Sequence, residues 1–271
     1  MPTVMPTFAT PQPITAVVEL VSGAVRMTAT DRDDTVVRVS PRDPDRASDV
    51  RAAENTRVEF RNGTLTVAAG RRFVALGRGG AVNIDIELPT CSRLDASSVS
   101  AQLRADGAYG DCRYATAGGA AAIESIVGNL KSDSTSGGIS VGFLTGGAAV
   151  STTSGDITIA ELTGDVGFRA ASGSLSVRRL RGAVHAHTAS GDVTVAAAVN
   201  GEVSVQTASG EVEVGVEEGT AARLELRTHS GAVRNDLQPT DGPGEAEETL
   251  AVRVVTASSD ITVRRATVAA V

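Results

Sequence analysis

Two histidines, His185 and His187, stand two positions apart. On an extended strand that spacing puts both rings on one side, about 7 Å apart, which is the start of a metal site. A structural zinc site needs further ligands. In the repeat described below, the neighbours of His185 are Gly167 and Ser204 and those of His187 are Arg169 and Gln206, so none is expected to complete it. A second group of candidates is acidic: Asp156, Asp165, Asp192, Glu202 and Glu211 each follow a glycine. Calcium-binding nonapeptide rolls also place an aspartate at a glycine-rich corner, but through GGxGxD, whereas here a corner holds a single Gly-Asp pair and Ser174 and Ala183 replace the acid in the intervening repeat. Polar corners closed by hydrogen-bonded turns are the expected role.

Gly70 to Gly80 holds Arg71, Arg72 and Arg78, and glycine beside arginine could hold a phosphate. The spacing matches no P-loop, so a solvated loop is expected. Cys91 and Cys112 lie outside any CxxC or Cys/His spacing and are expected to be reduced. Serine and threonine are abundant, yet no Gly-x-Ser-x-Gly elbow occurs, and His229 is the only other histidine. The expected set of catalytic, cofactor-binding and metal-binding residues is therefore empty: a protein that is not an enzyme and carries no cofactor.

The elements behind these residues follow from composition and period. The chain has 271 residues, 29 of them glycine, with 3% aromatics and no tryptophan, which favours strands and turns over packed helices. Its net charge of -7 is spread along the chain, and this disfavours a nucleic-acid binder. Lys131 is the only lysine among otherwise arginine cations. The first twenty residues show neither a basic leader nor a long apolar run, and no later window approaches the roughly 20 apolar residues of a membrane helix. No membrane insertion and a cytoplasmic location are the expectations.

Self-similarity is the strongest signal. Gly118, Gly137, Gly155, Gly173, Gly191, Gly210 and Gly231, with Ser259 in the same place, recur at spacings of 19, 18, 18, 18, 19, 21 and 28. Within each unit a half-period of nine appears: Ser154-Gly155-Asp156-Ile157-Thr158-Ile159 is followed by Thr163-Gly164-Asp165-Val166-Gly167-Phe168. The expected fold is all-β, a parallel β-solenoid with coils of about 18 residues and two short strands each. Stacking in register predicts inward ladders of Ile139, Ile157, Leu175, Val193 and Val212 on one side, and of Val166, Val184, Val203 and Leu224, beside Phe168, Ala186, Val205 and Leu226, on the other. Leu144, Leu162 and Leu180 are expected at the corner.

Residues 14–90 form an irregular N-terminal β region that serves as first coils or cap, and 91–265 the regular solenoid, interrupted by an acidic insertion at 235–248. In the first region Ser22-Gly23-Ala24-Val25 repeats the motif, with Thr35 to Val39 as its expected partner strand. A short helix is expected at 46–54, a hairpin around Asn62-Gly63, and a strand from Val82 to Ile86. The strands at 250–254 and 261–263 are expected to end the stack, leaving an exposed last rung open to another chain.

The run of SG-[DEGS]-[VIL]-x-[VI] units from 136 to 214, the segment DRDDTVVRVSPRDP at 31–44 and RVEFRNGTLTV at 57–67 resemble the bacterial, chiefly actinobacterial, β-strand-repeat family of unknown function labelled "putative adhesin". The resemblance covers nearly the whole chain and implies a β-helical fold with no catalytic motif to carry over. The expected role is a non-catalytic scaffold that presents a long outward Ser/Thr face to a protein or glycan. The alternatives are a self-assembling, cytoskeletal-type β-helix stacked end to end and, behind it, a carbohydrate-active β-helix enzyme.

Overall fold

The computed structural model describes residues 5–69, 80–238 and 248–266. The basic stretch 70–79 and residues 239–247 of the acidic insertion lie outside the described residues. The chain divides into two compact units, Met1–Val141 and Gly142–Val271, each taken by itself below. The fold is all-β with a solenoid-like repeat, and one helix interrupts the strands among the described residues.

The first unit contains β1 (Thr7–Ala9), β2 (Thr15–Leu20), β3 (Gly23–Thr30), β4 (Asp34–Pro41), α1 (Ala47–Glu54), β5 (Arg57–Arg61), β6 (Thr64–Ala69), β7 (Val82–Pro89), β8 (Arg93–Ser98), β9 (Gln102–Tyr109), β10 (Cys112–Thr116), β11 (Ala121–Ile126) and β12 (Leu130–Ser134). β13 (Ile139–Thr145) spans the division. Alternation of apolar and polar residues sends every second side chain inward, as in β2, where Ala16, Val18 and Leu20 are buried and Thr15, Val17 and Glu19 are not. One row of parallel strands runs β6–β2–β8–β10–β12 and a second runs β7–β3–β9–β11. Inward residues therefore stack as Leu65, Ala16, Leu94, Cys112 and Leu130, and as Val67, Val18, Ala96, Tyr114 and Ser132. Tyr114 fits because Ala96 and Ser132 beside it are small, and its hydroxyl reaches the Gly119 carbonyl at 3.0 Å.

The outer edge of each row in this unit is closed by antiparallel pairing. β5 and β6 form the expected hairpin, whose two loop residues take positive φ, Asn62 at 51° and Gly63 at 73°, as a two-residue turn requires. β4 pairs antiparallel with β7, and β1 antiparallel with β4. Thr35 to Val39 is thus not the coil partner of β3 that its apolar pattern suggested; it runs against β7. The rings of Phe8 and Phe60, 5.4 Å apart, join β1 to β5. The expected helix is α1, which packs on β4 and β7 and buries Asp49, Ala52 and Ala53.

The second unit holds β14 (Ala148–Thr152), β15 (Ile157–Ala170), β16 (Leu175–Thr188), β17 (Val193–Thr207), β18 (Val212–Val216), β19 (Thr220–Thr228), β20 (Val233–Asn235), β21 (Glu248–Thr256) and β22 (Ile261–Arg265). In β15, β16 and β17 the two predicted short strands are one continuous strand that bends at Gly164, Gly182 and Gly201, with φ of +136°, +128° and +99°. The register follows the 18-residue period, with one residue added in β17 where the pairing shifts after Leu180: Ile157 lies beside Leu175 and then Val193, Val166 beside Val184 and then Val203. Leu162 and Leu180 share a rung at the bend and are fully buried. Each fully buried aliphatic of this kind contributes about 1.5–3 kcal/mol.

At the far side of this unit the spatial order departs from the chain order. β21 and β22 lie between β17–β18 and β19–β20, so Val203 stacks on Val252 and Val252 on Leu224, and Val212 on Ile261 and Ile261 on Val233. The predicted direct contact of Val203 with Leu224 is replaced by this inserted coil. The last rung is β19–β20, not the coil that comes last in the chain. The first unit has the same device: β2–β3, its first parallel coil, lies between β6–β7 and β8–β9.

Candidate interaction surface

The repeat glycines sit where coils approach most closely. A Cβ on Gly173 would lie 2.3 Å from the carbonyl oxygen of Gly155, and one on Gly191 1.9 Å from that of Gly173. In the first unit Gly119, rather than Gly118, holds this place, since its Cβ would meet the Ala101 oxygen while Gly119 itself faces Gly137. The period is therefore more regular than the glycine marker at 118 implied.

Three residues before four of these glycines a hydroxyl closes the turn, whereas Ala170 holds that place before Gly173. The Thr116, Ser134, Thr152 and Thr188 oxygens accept the N–H of Gly119, Gly137, Gly155 and Gly191 at 2.8, 2.9, 2.8 and 3.1 Å. Sequence reasoning did not single these residues out, although Thr116, Ser134, Thr152, Thr188, Thr207, Thr228 and Thr256 share one place in the period. A second set, Ser136, Ser172, Ser190 and Ser258, donates from the exposed corner to a carbonyl of the neighbouring coil.

The corner carboxylates have the same kind of work. Asp156 accepts the N–H of Ser174, Asp165 that of Ala183, Asp192 that of Glu211 and Asp260 that of Ala232, at 2.8–3.1 Å. Asp111 does likewise for Asn129, and this backbone N–H, ahead of Arg93, holds its carboxyl below the usual aspartate range. Each carboxylate ties one coil to the next, and no group of three or more His, Cys, Asp or Glu that could hold a metal occurs among the described residues.

His185 and His187 are exposed on β16, with Gly167 and Ser204, and Arg169 and Gln206, as predicted neighbours in register. The Nδ1 of His187 and the Gln206 side-chain oxygen are 3.1 Å apart. Cys112 is an inward rung of its row, and burial pushes its thiol up to about 12. Cys91 is exposed, and neither thiol is in a disulfide.

Outward strand positions also stack in columns. In the second unit Thr158, Ser176 and Thr194 continue through Glu213 to Thr262. The first unit is charged instead: Asp85, Arg26 and Arg104 form one column and Glu87, Thr28 and Asp106 the next. Asp106 pairs with Arg104 at 2.9 Å and with Arg26 at 3.5 Å, while Arg32 bridges Asp34 and Glu87. Serine and threonine thus concentrate at the turns and in the Thr158 column, and arginine with acid dominates the outward face of β3, β7 and β9. An open hollow of about 540 Å³ beside α1 is lined by Ser22, Arg42, Asp43, Pro44, Arg46 and Asp49 among others. Asp49 accepts the Ala81 N–H at 3.2 Å there. No helix among the described residues is long and apolar enough to cross a membrane.

No curated protein matches this chain. Among solved structures it is similar to a protein from Parabacteroides distasonis called "putative lipid binding protein", at 13% identity and a TM-score of 0.52, over 96% of each chain. It is also similar to a "putative adhesin" from Bacteroides fragilis, at 12% identity and a TM-score of 0.49, over 97% of each chain. The first likeness shows a shared fold at a sequence distance where function does not follow. The description that matches in sequence is Toastrack DUF4097, over residues 15–267, and the chain belongs to that family.

Proposed function

We propose that the protein is a non-catalytic β-solenoid scaffold, built of parallel two-strand coils, that binds a protein or glycan partner through its outward faces. The observation that carries this reading is the use of the corner groups: carboxylates that could have done chemistry are bonded to the backbone of the adjacent coil, and threonine hydroxyls to the backbone of their own turn. What remains outward is a set of columns repeating at the strand spacing of about 4.8 Å, a pattern suited to an extended ligand. The column Thr158, Ser176 and Thr194 is the proposed contact for a glycan, and the Arg26–Arg104–Asp106 face that for a protein. The net charge of -7 supports a partner other than nucleic acid, and two unbridged thiols support a reducing, cytoplasmic setting.

A glycan array with the purified chain tests this. The expected result is a binder whose signal falls at least about tenfold when Thr158, Ser176 and Thr194 are all changed to alanine, with the melting temperature unchanged. Turnover of any polysaccharide by the purified chain would overturn the non-catalytic reading. The alternative, end-to-end assembly, is favoured by one feature: β19 pairs with β21 on one side, and among the described residues no strand pairs with its other edge. Mass that grows without limit with concentration in light scattering would select it.

A further inference from the structure

Coil β21–β22 occupies a slot between β17–β18 and β19–β20, although it follows both in the chain. The slot is therefore bounded by two coils that are complete before its occupant is. Three coils share one inward pattern: Val203, Val205 and Thr207 in β17; Val252, Val254 and Thr256 in β21; Leu224, Leu226 and Thr228 in β19. Nothing in that pattern distinguishes which coil is next to which.

The seam carries a local defect as well. At four other corners, those of Thr116, Ser134, Thr152 and Thr188, the turn hydroxyl accepts the glycine N–H three residues on, but here the Gly210 N–H goes to the Ser259 hydroxyl at 2.6 Å. The hydroxyls of Thr207 and Thr256 are left buried without a hydrogen-bond partner, two of the four such side-chain atoms among the described residues. Finally, the chain between β20 and β21 is 12 residues, 236–247, against three, 217–219, between β18 and β19. At up to about 3.5 Å per residue, 12 residues reach about 40 Å, well beyond the next coil.

We propose that this slot is an interface for a second copy of the chain: residues 248–265 of one molecule fill the slot of another, and the exchange is reciprocal. The partner is specified by its chemistry. It must present Leu250, Val252 and Val254, then Ile261 and Val263, at the coil spacing, which the identical segment does with every rung and hydrogen bond of the closed form preserved. Exchange of an identical element costs little beyond association, because the contacts are the same in both forms. The product is a closed dimer, distinct from an open stack of coils.

The test is a cysteine pair across the seam. Ser204 and Arg253 lie directly opposite on β17 and β21, within the Cα range that a disulfide spans. The double variant Ser204→Cys/Arg253→Cys, in a Cys91→Ser background, is unfolded, refolded at dilute and at high protein concentration, and only then oxidised. The expected result is a covalent dimer on a non-reducing gel whose share rises at least about tenfold from dilute to concentrated refolding. A disulfide formed only within monomers at every concentration would overturn the proposal. The unmodified chain, refolded in the same way, provides a second measurement: a dimer that persists on dilution supports exchange, whereas monomer alone, or mass growing without limit, overturns it. Either failure leaves the glycan-array test of the outward face unaffected.

Discussion

At residue scale, the molecule depends on backbone approach at its glycine corner more than on any reactive group. Gly173→Ala would push a Cβ to 2.3 Å from a carbonyl that is itself held in the stack, so the coil must shift as a whole. We expect a loss of about 3 kcal/mol in urea unfolding, against at most about 1 kcal/mol for Ser174→Ala, whose hydroxyl accepts only the long Asp192 N–H bond at 3.3 Å. Equal losses would mean that the corner is not a close approach. The two cysteines differ in the same spirit. Cys112, held neutral by burial with its pKa raised to about 12, should resist iodoacetamide at pH 8 in the folded protein, while exposed Cys91 is modified. Because an unfolded thiol ionises near pH 8.5, the contribution of neutral Cys112 is complete below about that pH and is lost as pH rises toward 12. Stability by urea unfolding should fall between pH 8 and 10.5, and Cys112→Ala should flatten that fall.

At element scale, α1 is fastened by one buried carboxylate. Asp49 is 2% exposed and accepts from the Ala81 N–H and the Ser48 hydroxyl, so it holds the helix to the start of β7. Asp49→Ala would leave that N–H without its acceptor, at a cost of about 1–3 kcal/mol. Asp49→Asn keeps an acceptor oxygen and should cost less than half as much in the same denaturation experiment. Elements of local origin were legible in the sequence: the Asn62-Gly63 hairpin, the helix after residue 46 and the inward alternation of β15 to β17 all follow from nearest-neighbour chemistry. The role of Asp49 was not, because a lone acid in a charged segment gives no hint that a backbone N–H 32 residues away needs it. The turn threonines were legible in principle, since their period is that of the glycines, but a hydroxyl in a threonine-rich chain draws no notice by type alone.

At the scale of the whole molecule, the sequence carried the period and lost the order. Val203, Val252 and Leu224 are interchangeable as inward aliphatics, and a pattern read along the chain places coils in chain order. Only the long segment between β20 and β21 betrays that the coil after it turns back. The candidate surface was legible to a similar degree: the neighbours of His185 and His187 followed from the period, but the charged columns of β3, β7 and β9 depend on pairing across distant segments. Burial predicts a gradient of local stability within the second unit. β16 and β17 are flanked by strands along their length and their inward residues are fully buried, whereas β20 is exposed throughout and β19 has few buried positions. Hydrogen exchange should therefore be slowest in β16 and β17 and at least about a hundredfold faster in β20, a difference of about 2.7 kcal/mol in opening free energy. Uniform protection across these strands would mean that the coils open only together.

The inward placement of β2–β3 and β21–β22 also bears on force. A strand at the edge of a stack can be peeled away one bond at a time, because each rung is released before the next is loaded. Each of these coils instead has a neighbour on both sides, so tension entering through the chain ahead of β2 or beyond β22 meets two ladders that must yield together. A tether attached at either point would pull on a coil flanked on both sides, where rupture is a shared event.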